Sequence, residues 1–155
     1  MNETTVIGST FEISQRILLM LNTLSDMQLD EHQIAAIDFI SIYAADFNIL
    51  DENLHGYGNY RFSEYPARKT LISNALKQLI LCRYVTLAAN SSGFTYAITD
   101  SGKAFIHKIH NNYAKEYAIA VKAVIGQFEG ADFKDMYQEI IRIINLSTKE
   151  MTLNE

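Results

Sequence analysis

The residues with the clearest binding chemistry lie in the stretch DENLHGYGNYRFSEYPAR, which runs from Asp51 to Arg68. It connects two predicted helices where a helix-turn-helix would have a turn of about three or four residues. Connections of this length are usually functional or disordered, and disordered segments are poor in aromatic residues. Tyr and Arg are enriched at the energetic centres of protein interfaces. The stretch therefore predicts a partner-binding surface, whose candidate residues are Tyr57, Tyr60, Arg61, Phe62 and Tyr65. The alternative is that the same rings fold under the loop and fill the core.

A second set of polar residues recurs at helical spacing and has chemistry suited to DNA. The set lies on one face of a predicted third helix and consists of Arg68, Lys69, Asn74, Lys77 and Gln78. These residue types bind phosphates and base edges in the major groove. The alternative is a solvated helix face. The turn of the hairpin predicted after this helix contains no Lys or Arg, although hairpins that touch DNA usually carry positive charge for phosphate.

Catalytic and metal-binding patterns are weak. His107 and His110 are spaced to share a helix face, as a metal site could, but their Lys- and Asn-rich surroundings favour an exposed surface. Asp51, Glu52 and His55 could form an acid–base or metal cluster, although turn and cap roles are favoured for the two carboxylates. No phosphate-binding loop or nucleophile elbow is present in the sequence. We therefore predict that the protein is not an enzyme and holds no cofactor and no metal.

Composition indicates a soluble globular protein. The 155 residues are 48% hydrophobic, with a net charge of −5, and no apolar run reaches the roughly 18 residues of a membrane-spanning helix. The first residues do not resemble a signal peptide. The lone Cys82 excludes a disulfide framework, favours the cytoplasm and is expected to be buried. Residues 61–99 carry five basic residues and one acidic, but residues 1–60 carry nine acidic and one basic. The whole chain would therefore repel a polyanion.

Capping signals and hydrophobic periodicity predict the elements that position these residues. Ser9 with Glu12, and Asp30 with Gln33, form two capping-box patterns. The predicted elements are a helix over 10–24, a helix over 30–47, a helix from Ser63 with Pro66 in its first turn, a hairpin over 84–89 and 94–98, a long helix over 100–128 capped by Thr99, a last helix over 132–146 and a loose tail from 147. Gly102, in the first turn of the long helix, would allow a close backbone approach.

This order of elements predicts a mainly α-helical fold with a small β-hairpin, as in a winged helix-turn-helix-like domain followed by C-terminal helices. We expect the winged-helix-like domain to span residues 1–128, including the long helix 100–128. The C-terminal helix and a flexible tail would span residues 129–155. The apolar residues of the final two helices could complete the core or form a seam with another chain.

Four segments together resemble a known family, and they read TFEISQRILLMLNTL, IAAIDFISIYAADFNILDENLHG, YRFSEYPARKTLISNALKQLI and GFTYAITDSGKAF. They are similar to the middle component of bacterial ABC-three-component systems, a group that includes the Lamassu anti-phage systems. The similarity runs from about residue 10 to 128 and is most specific over residues 46–56 and 62–71.

The resemblance implies a small, non-catalytic winged-helix adaptor. Such a protein would bridge an SMC/Rad50-like ABC ATPase and an effector, often a nuclease, in an anti-phage or anti-plasmid defence complex. It implies no membrane, no small-molecule substrate, and DNA contact only as part of the complex. The acidic net charge independently favours an adaptor over an operator-binding protein. The alternative is a dimeric winged-helix transcriptional regulator that places its third helix on DNA.

Overall fold

The computed structural model describes residues 10–91 and 93–153 of the chain. These residues form six α-helices, two short 3₁₀ turns and one antiparallel hairpin, which confirms the predicted mainly α-helical fold with a small hairpin. In chain order they are α1 (Thr10–Thr23), α2 (Glu31–Ile42), a 3₁₀ turn (Arg61–Glu64), α3 (Tyr65–Leu81), β1 (Val85–Asn90), β2 (Gly93–Ile98), α4 (Asp100–Ile106), α5 (Asn112–Gln127), a 3₁₀ turn (Glu129–Ala131) and α6 (Phe133–Leu153).

Helix α2 lies at the centre of the fold because its sequence is apolar on nearly every side. All residues from Ile34 to Ile42 are buried, and α1, α3, α5 and α6 pack against this helix. The helix begins at the predicted capping box, in which the backbone N–H of Gln33 donates to Asp30 Oδ1 at 2.8 Å and the backbone N–H of Asp30 donates to Gln33 Oε1 at 2.9 Å. Met136 on α6 is fully buried in the same core, so the last helix also covers α2.

The hairpin follows α3 with the predicted strands and is fixed to the body at its base. Val85 pairs with Ile98, and Asn90 pairs with Gly93 at the turn. Thr99 then caps α4, since its Oγ1 accepts from the Gly102 N–H at 3.0 Å. A Cβ on Gly102 would collide with the Tyr84 carbonyl oxygen and would lie 2.7 Å from Ile98 Cγ1. The expected close backbone approach at Gly102 is therefore confirmed.

The helices on either side of the long connection are shorter than predicted. α2 ends at Ile42 and not near residue 47, because residues 43–48 form turns in which Asn48 adopts the left-handed φ of 58° that Asn tolerates. Ser63 does not cap α3 as predicted. Its hydroxyl donates to the Tyr60 carbonyl oxygen at 2.7 Å within the 3₁₀ turn, and α3 starts two residues later without a side-chain cap. Pro66 does lie in the first turn of α3, as expected.

Two predictions for the C-terminal half are wrong. The single helix expected over 100–128 is two helices, because Asn111 caps a new helix by accepting from the Ala114 N–H through Oδ1 at 2.8 Å. The chain therefore turns between Ile106 and Asn112. The tail expected to be loose from residue 147 is helical to Leu153. No Gly or Pro interrupts that stretch, so the helix propagates.

The environment of Cys82 also differs from the prediction. This side chain is exposed because it follows α3 as its C-cap, next to Leu81, which is itself 76% exposed. The capping role predicted for Ser9 lies outside the described residues. Across the part of the chain that the structure describes, no helix combines the length and apolarity needed to cross a membrane.

Candidate partner-binding surface

The connection between α2 and α3, residues 43–64 and here called the α2–α3 loop, is folded around the side chain of Asn53. Asn53 Oδ1 accepts from the backbone N–H groups of Ala45 at 2.8 Å and Asp46 at 3.3 Å. Its Nδ2 donates to Asp46 Oδ2 at 2.7 Å and to the Gly56 carbonyl oxygen at 3.0 Å. One amide thus supplies the hydrogen bonds that secondary structure would otherwise give this backbone.

Arg61 holds the second half of the α2–α3 loop. Its Nε and Nη2 donate to the two carboxylate oxygens of Asp46 at 2.9 and 2.8 Å, and Nη1 donates to the Gly58 carbonyl oxygen at 2.8 Å. The guanidinium carbon lies 4.4 Å from the centroid of the Phe62 ring and 5.7 Å from that of Tyr57. The Asp46 carboxylate, through its hydrogen bonds, raises the pKa of Arg61. Each nitrogen of this predicted partner-binding residue is already used inside the loop, so Arg61 acts here as a loop organiser.

The aromatic residues predicted to bind a partner divide into two groups. Phe62 and Tyr65 are buried against Phe39 of the core, with ring centroids 6.2 and 4.9 Å away, and burial raises the pKa of Tyr65 to about 12. Tyr57 and Tyr60 are 52% and 66% exposed. The Tyr57 hydroxyl donates to Glu52 Oε2 at 2.8 Å. The core-filling alternative therefore applies to Phe62 and Tyr65, whereas Tyr57 and Tyr60 stay candidates for a partner-binding surface.

A cleft of about 790 Å³ opens beside the α2–α3 loop and is within the size range of ligand sites. It is bounded by α1, the loop, the start of α3 and the turn between α4 and α5, and Tyr60 forms part of its wall. His55 Nε2 and the Tyr113 hydroxyl share a hydrogen bond of 2.7 Å in this wall. Burial, together with the positive charge of Arg16, lowers the pKa of His55 to about 4. His55 is therefore neutral at pH 7.

A buried polar cluster lies beneath this cleft and joins three helices. Arg16 on α1 donates to Asp38 on α2 through Nε at 2.8 Å and Nη2 at 3.1 Å, and the hydroxyl of Tyr117 on α5 donates to Asp38 Oδ1 at 2.7 Å. Burial alone would raise the pKa of Asp38, but the Arg16 charge and both hydrogen-bond donors outweigh it, and the pKa is lowered. The pKa of Tyr117 is raised by burial and by the neighbouring Asp38 charge.

Sequence reasoning missed this cluster, although two signals for it were present. Arg16 is the one basic residue among the first sixty and stands inside the apolar run of α1. Asp38 interrupts the apolar run IAAIDFISI in the same way. Two opposite charges within two core helices indicate a buried pair, because an isolated buried charge is too costly to keep.

The residues predicted to face DNA do not share one surface. Arg68 turns into the protein and is 7% exposed. The Lys69 ammonium lies 5.1 Å from the Tyr65 ring centroid and 5.3 Å from that of Tyr137 on α6. The remaining three are exposed on α3, and they are Asn74, Lys77 and Gln78. Asn74 and Lys77 lie with Lys69 around a shallow depression of about 360 Å³ that also contains the acidic Glu31.

Neither of the two clusters considered for catalysis or metal binding forms a three-residue metal site in the described part of the chain. His107 is the C-cap of α4, and His110 lies beyond the end of that helix, so the two do not share a helix face as predicted. Glu52 contacts Tyr57 and His55 contacts Tyr113. Among the residues with described positions, no three His, Cys, Asp or Glu side chains are grouped so that they could hold a metal ion.

Comparison with known proteins identifies one family. The model of the ABC-three component (ABC-3C) system Middle Component 2 family matches residues 6–150. No curated protein and no solved structure matches the chain. The match includes the α2–α3 loop and α6 up to residue 150.

Proposed function

Because the chain belongs to the Middle Component 2 family of ABC-three component systems, we propose that it is the non-catalytic adaptor of such a defence complex. In this role it joins an SMC/Rad50-like ABC ATPase to an effector, often a nuclease, as in the Lamassu anti-phage systems. The adaptor would hold the effector inactive until the ATPase rearranges, and this restraint needs no catalysis by the adaptor itself. The family assignment implies a role together with the other components of that system, and the bridging role is our extension of it.

The observation that carries the proposal is the exposed Tyr60 on a loop that is fixed from within. Tyr60 is 66% exposed on an ordered backbone, so its ring can be buried against a partner at small conformational cost. The order comes from Asn53 and from the pairing of Arg61 with Asp46. Tyr57, held by Glu52, adds a second exposed ring. Such Tyr anchors beside a cleft are typical centres of protein interfaces.

We further propose that the winged-helix-like part, residues 1–128, presents this loop, while DNA is contacted only within the assembled complex. Two features support that division. Lys69 is engaged by two aromatic rings and Arg68 is buried, which leaves the predicted recognition helix few cations to contact phosphate. The hairpin carries no charged residue from Val85 to Ile98, whereas DNA affinity depends on Lys and Arg contacts to the backbone.

The second candidate function is a dimeric transcriptional regulator, which the joint exposure of Asn74, Lys77 and Gln78 favours. Those three side chains could read base edges from one helix. This candidate predicts tight binding of the isolated protein to a palindromic site, with an affinity that falls steeply with salt. The adaptor predicts weak DNA binding by the isolated chain.

The test is copurification of the tagged chain with the ATPase and the effector of its system, which we expect neighbouring genes to encode. We expect Tyr60→Ala to weaken recovery of a partner at least about tenfold, as for an interface hot spot, while the thermal midpoint stays unchanged. Phe94→Ala is the matched control, since Phe94 is a similarly exposed ring (58%) on the hairpin. Wild-type protein that recovers neither neighbour and binds an operator tightly would overturn the adaptor and favour the regulator.

A further inference from the structure

Arg68 is buried in the wall of the cleft without a full set of partners. The residue is 7% exposed, and its Nη2 donates to Glu64 Oε2 at 3.3 Å. Its Nε and Nη1 are buried and have no hydrogen-bond partner. Burying a guanidinium with unsatisfied N–H groups is destabilising, so the folded chain holds this side chain at a cost.

The other two arginines that line the cleft are already neutralised. Arg16 forms a two-pronged pair with Asp38, and Arg61 forms one with Asp46. Glu64, the one carboxylate contacting Arg68, is 57% exposed and reaches it through a single long contact. The Arg68 guanidinium carbon also lies 5.9 Å from the centroid of the Tyr43 ring. The cleft therefore contains one guanidinium whose Nε and Nη1 are not paired with a carboxylate.

The rest of the cleft is suited to apolar side chains, which could flank an anion bound at Arg68. Leu19 on α1, Leu54 in the α2–α3 loop and Ile109 after α4 line it and are each partly exposed. With Tyr60 in the same wall, the lining combines apolar surface with a few convergent polar groups, as ligand sites do. A volume of about 790 Å³ accommodates several side chains and exceeds what a single inorganic anion would fill.

We propose that this cleft receives an acidic side chain, Asp or Glu flanked by apolar residues, from a segment of a partner polypeptide, and that Arg68 binds its carboxylate. The inference rests on the proposed adaptor function and names the partner element that the cleft recognises. A guanidinium recognises a carboxylate through charge-assisted hydrogen bonds. A polyanion fits less well, because Glu12 and Glu64 also line the cleft and would repel further negative charge.

The cost of Arg68 gives the first arm of the test. Removing one partner of an ion pair is costly where the other charge stays buried, whereas replacing the buried charges as a whole by apolar groups is often neutral or stabilising. Glu64 is 57% exposed and can return to water, so Arg68→Met leaves no buried charge behind. We therefore expect Arg68→Met to fold with a thermal midpoint equal to or above that of the wild type. A clearly lower midpoint would assign Arg68 a structural role and overturn the inference.

The second arm follows the Arg68 Nε–H signal of the ¹⁵N-labelled wild-type chain by NMR during titration with three probes. The probes are the capped tripeptide Leu-Glu-Leu, its isosteric analogue Leu-Gln-Leu, and inorganic phosphate. We expect a saturable shift with Leu-Glu-Leu, and at least tenfold weaker binding of the analogue and of phosphate. In the backbone amide spectrum, which both variants retain, the shifts of the cleft residues caused by the acidic tripeptide should be lost in Arg68→Met and kept in Arg142→Met, a control at an exposed arginine on α6. No shift with Leu-Glu-Leu, or an equal response to phosphate, would overturn the inference.

Copurification separates this inference from the adaptor function. If the wild type recovers the neighbouring proteins and Arg68→Met recovers them equally well, the cleft is not their docking site and the adaptor function stands. If the wild type recovers neither protein, the adaptor function fails, whereas the tripeptide titration still decides whether the cleft binds a carboxylate. A tripeptide response combined with loss of a partner in Arg68→Met supports both.

Discussion

Removing the charge of Asp38 should cause a large loss of stability, because this carboxylate is shared by three helices. Arg16 and Asp38 are each 2% exposed and Tyr117 is fully buried. Both oxygens of Asp38 accept from Arg16, and Oδ1 also accepts from Tyr117. Asp38→Asn keeps the size of the side chain but leaves the Arg16 cation buried without its anion.

The expected loss follows from the measured cost of breaking buried ion pairs. Removing one partner costs about 3–5 kcal/mol. For a chain of this length, each kcal/mol lowers the melting temperature by about 2–4 °C, so Asp38→Asn should melt about 6–20 °C below the wild type. Tyr117→Phe keeps the ring and removes only a hydrogen bond to a charged group, which costs about 1.5–3 kcal/mol. We expect stability to decrease from the wild type to Tyr117→Phe and further to Asp38→Asn.

The assay is urea unfolding followed by circular dichroism, with the free energy of unfolding extrapolated to water and the slope with denaturant compared among variants. The control is the triple variant Arg16→Met, Asp38→Leu and Tyr117→Phe, which makes the cluster apolar. Because the whole pair is then replaced, its stability should equal or exceed that of the wild type. A loss below about 1 kcal/mol in Asp38→Asn would mean that the pair is solvated like a surface salt bridge. A triple variant as unstable as Asp38→Asn would show that packing shape, and not the unpaired charge, sets the cost.

Two further outcomes are expected from the fold. Gly102→Ala should destabilise the protein by about 1–3 kcal/mol in the same unfolding assay, since the added Cβ meets the Tyr84 carbonyl oxygen. Gly126→Ala, where a Cβ meets nothing within 4 Å, should instead add about 0.4–1 kcal/mol, and equal effects at both glycines would contradict the close approach. The pKa of His55 is lowered from 6.5 to about 4 in the folded chain, so the unfolded chain binds a proton more readily. The contribution of neutral His55 to the free energy of unfolding is therefore full above about pH 6.5 and is lost as the pH falls towards 4. Between pH 7 and pH 5 the wild type should therefore lose about 2 kcal/mol more than His55→Gln, and parallel pH profiles of the two proteins would refute the shift.

Most of the fold was predictable because its elements are specified by neighbours along the chain. The capping box of Asp30 and Gln33, the cap at Thr99 and the early Pro66 each involve residues within one helical turn. The helix break before α5 was missed, although Asn111 provides the cap. An Asn within an otherwise helical pattern is compatible with both continuation and restart, and contacts elsewhere decide between them.

The candidate site was predicted in its location but not in the roles of its residues. The composition of the stretch from residue 51 to 68 identified it as unusual, yet the sequence left open which rings face solvent. Phe62 is buried and Tyr60 is exposed although they are two residues apart, since the 3₁₀ turn that begins at Arg61 points them differently. Arg68 has the chemistry of a surface cation but lies in the wall of a cleft.

The sequence by itself determined the mainly helical class, the hairpin and the family, because local periodicity, capping and residue identity carry that information. Only the tertiary structure decided which charges are paired. Asp38 meets Arg16 across 22 residues and Tyr117 across 79, and the spacing of residues along the chain does not encode such encounters. The same packing uses every nitrogen of Arg61 and leaves two nitrogens of Arg68 without an acceptor. Whether an arginine organises a loop or keeps N–H groups available to bind an anion depends on which carboxylates the folded core brings within hydrogen-bonding distance.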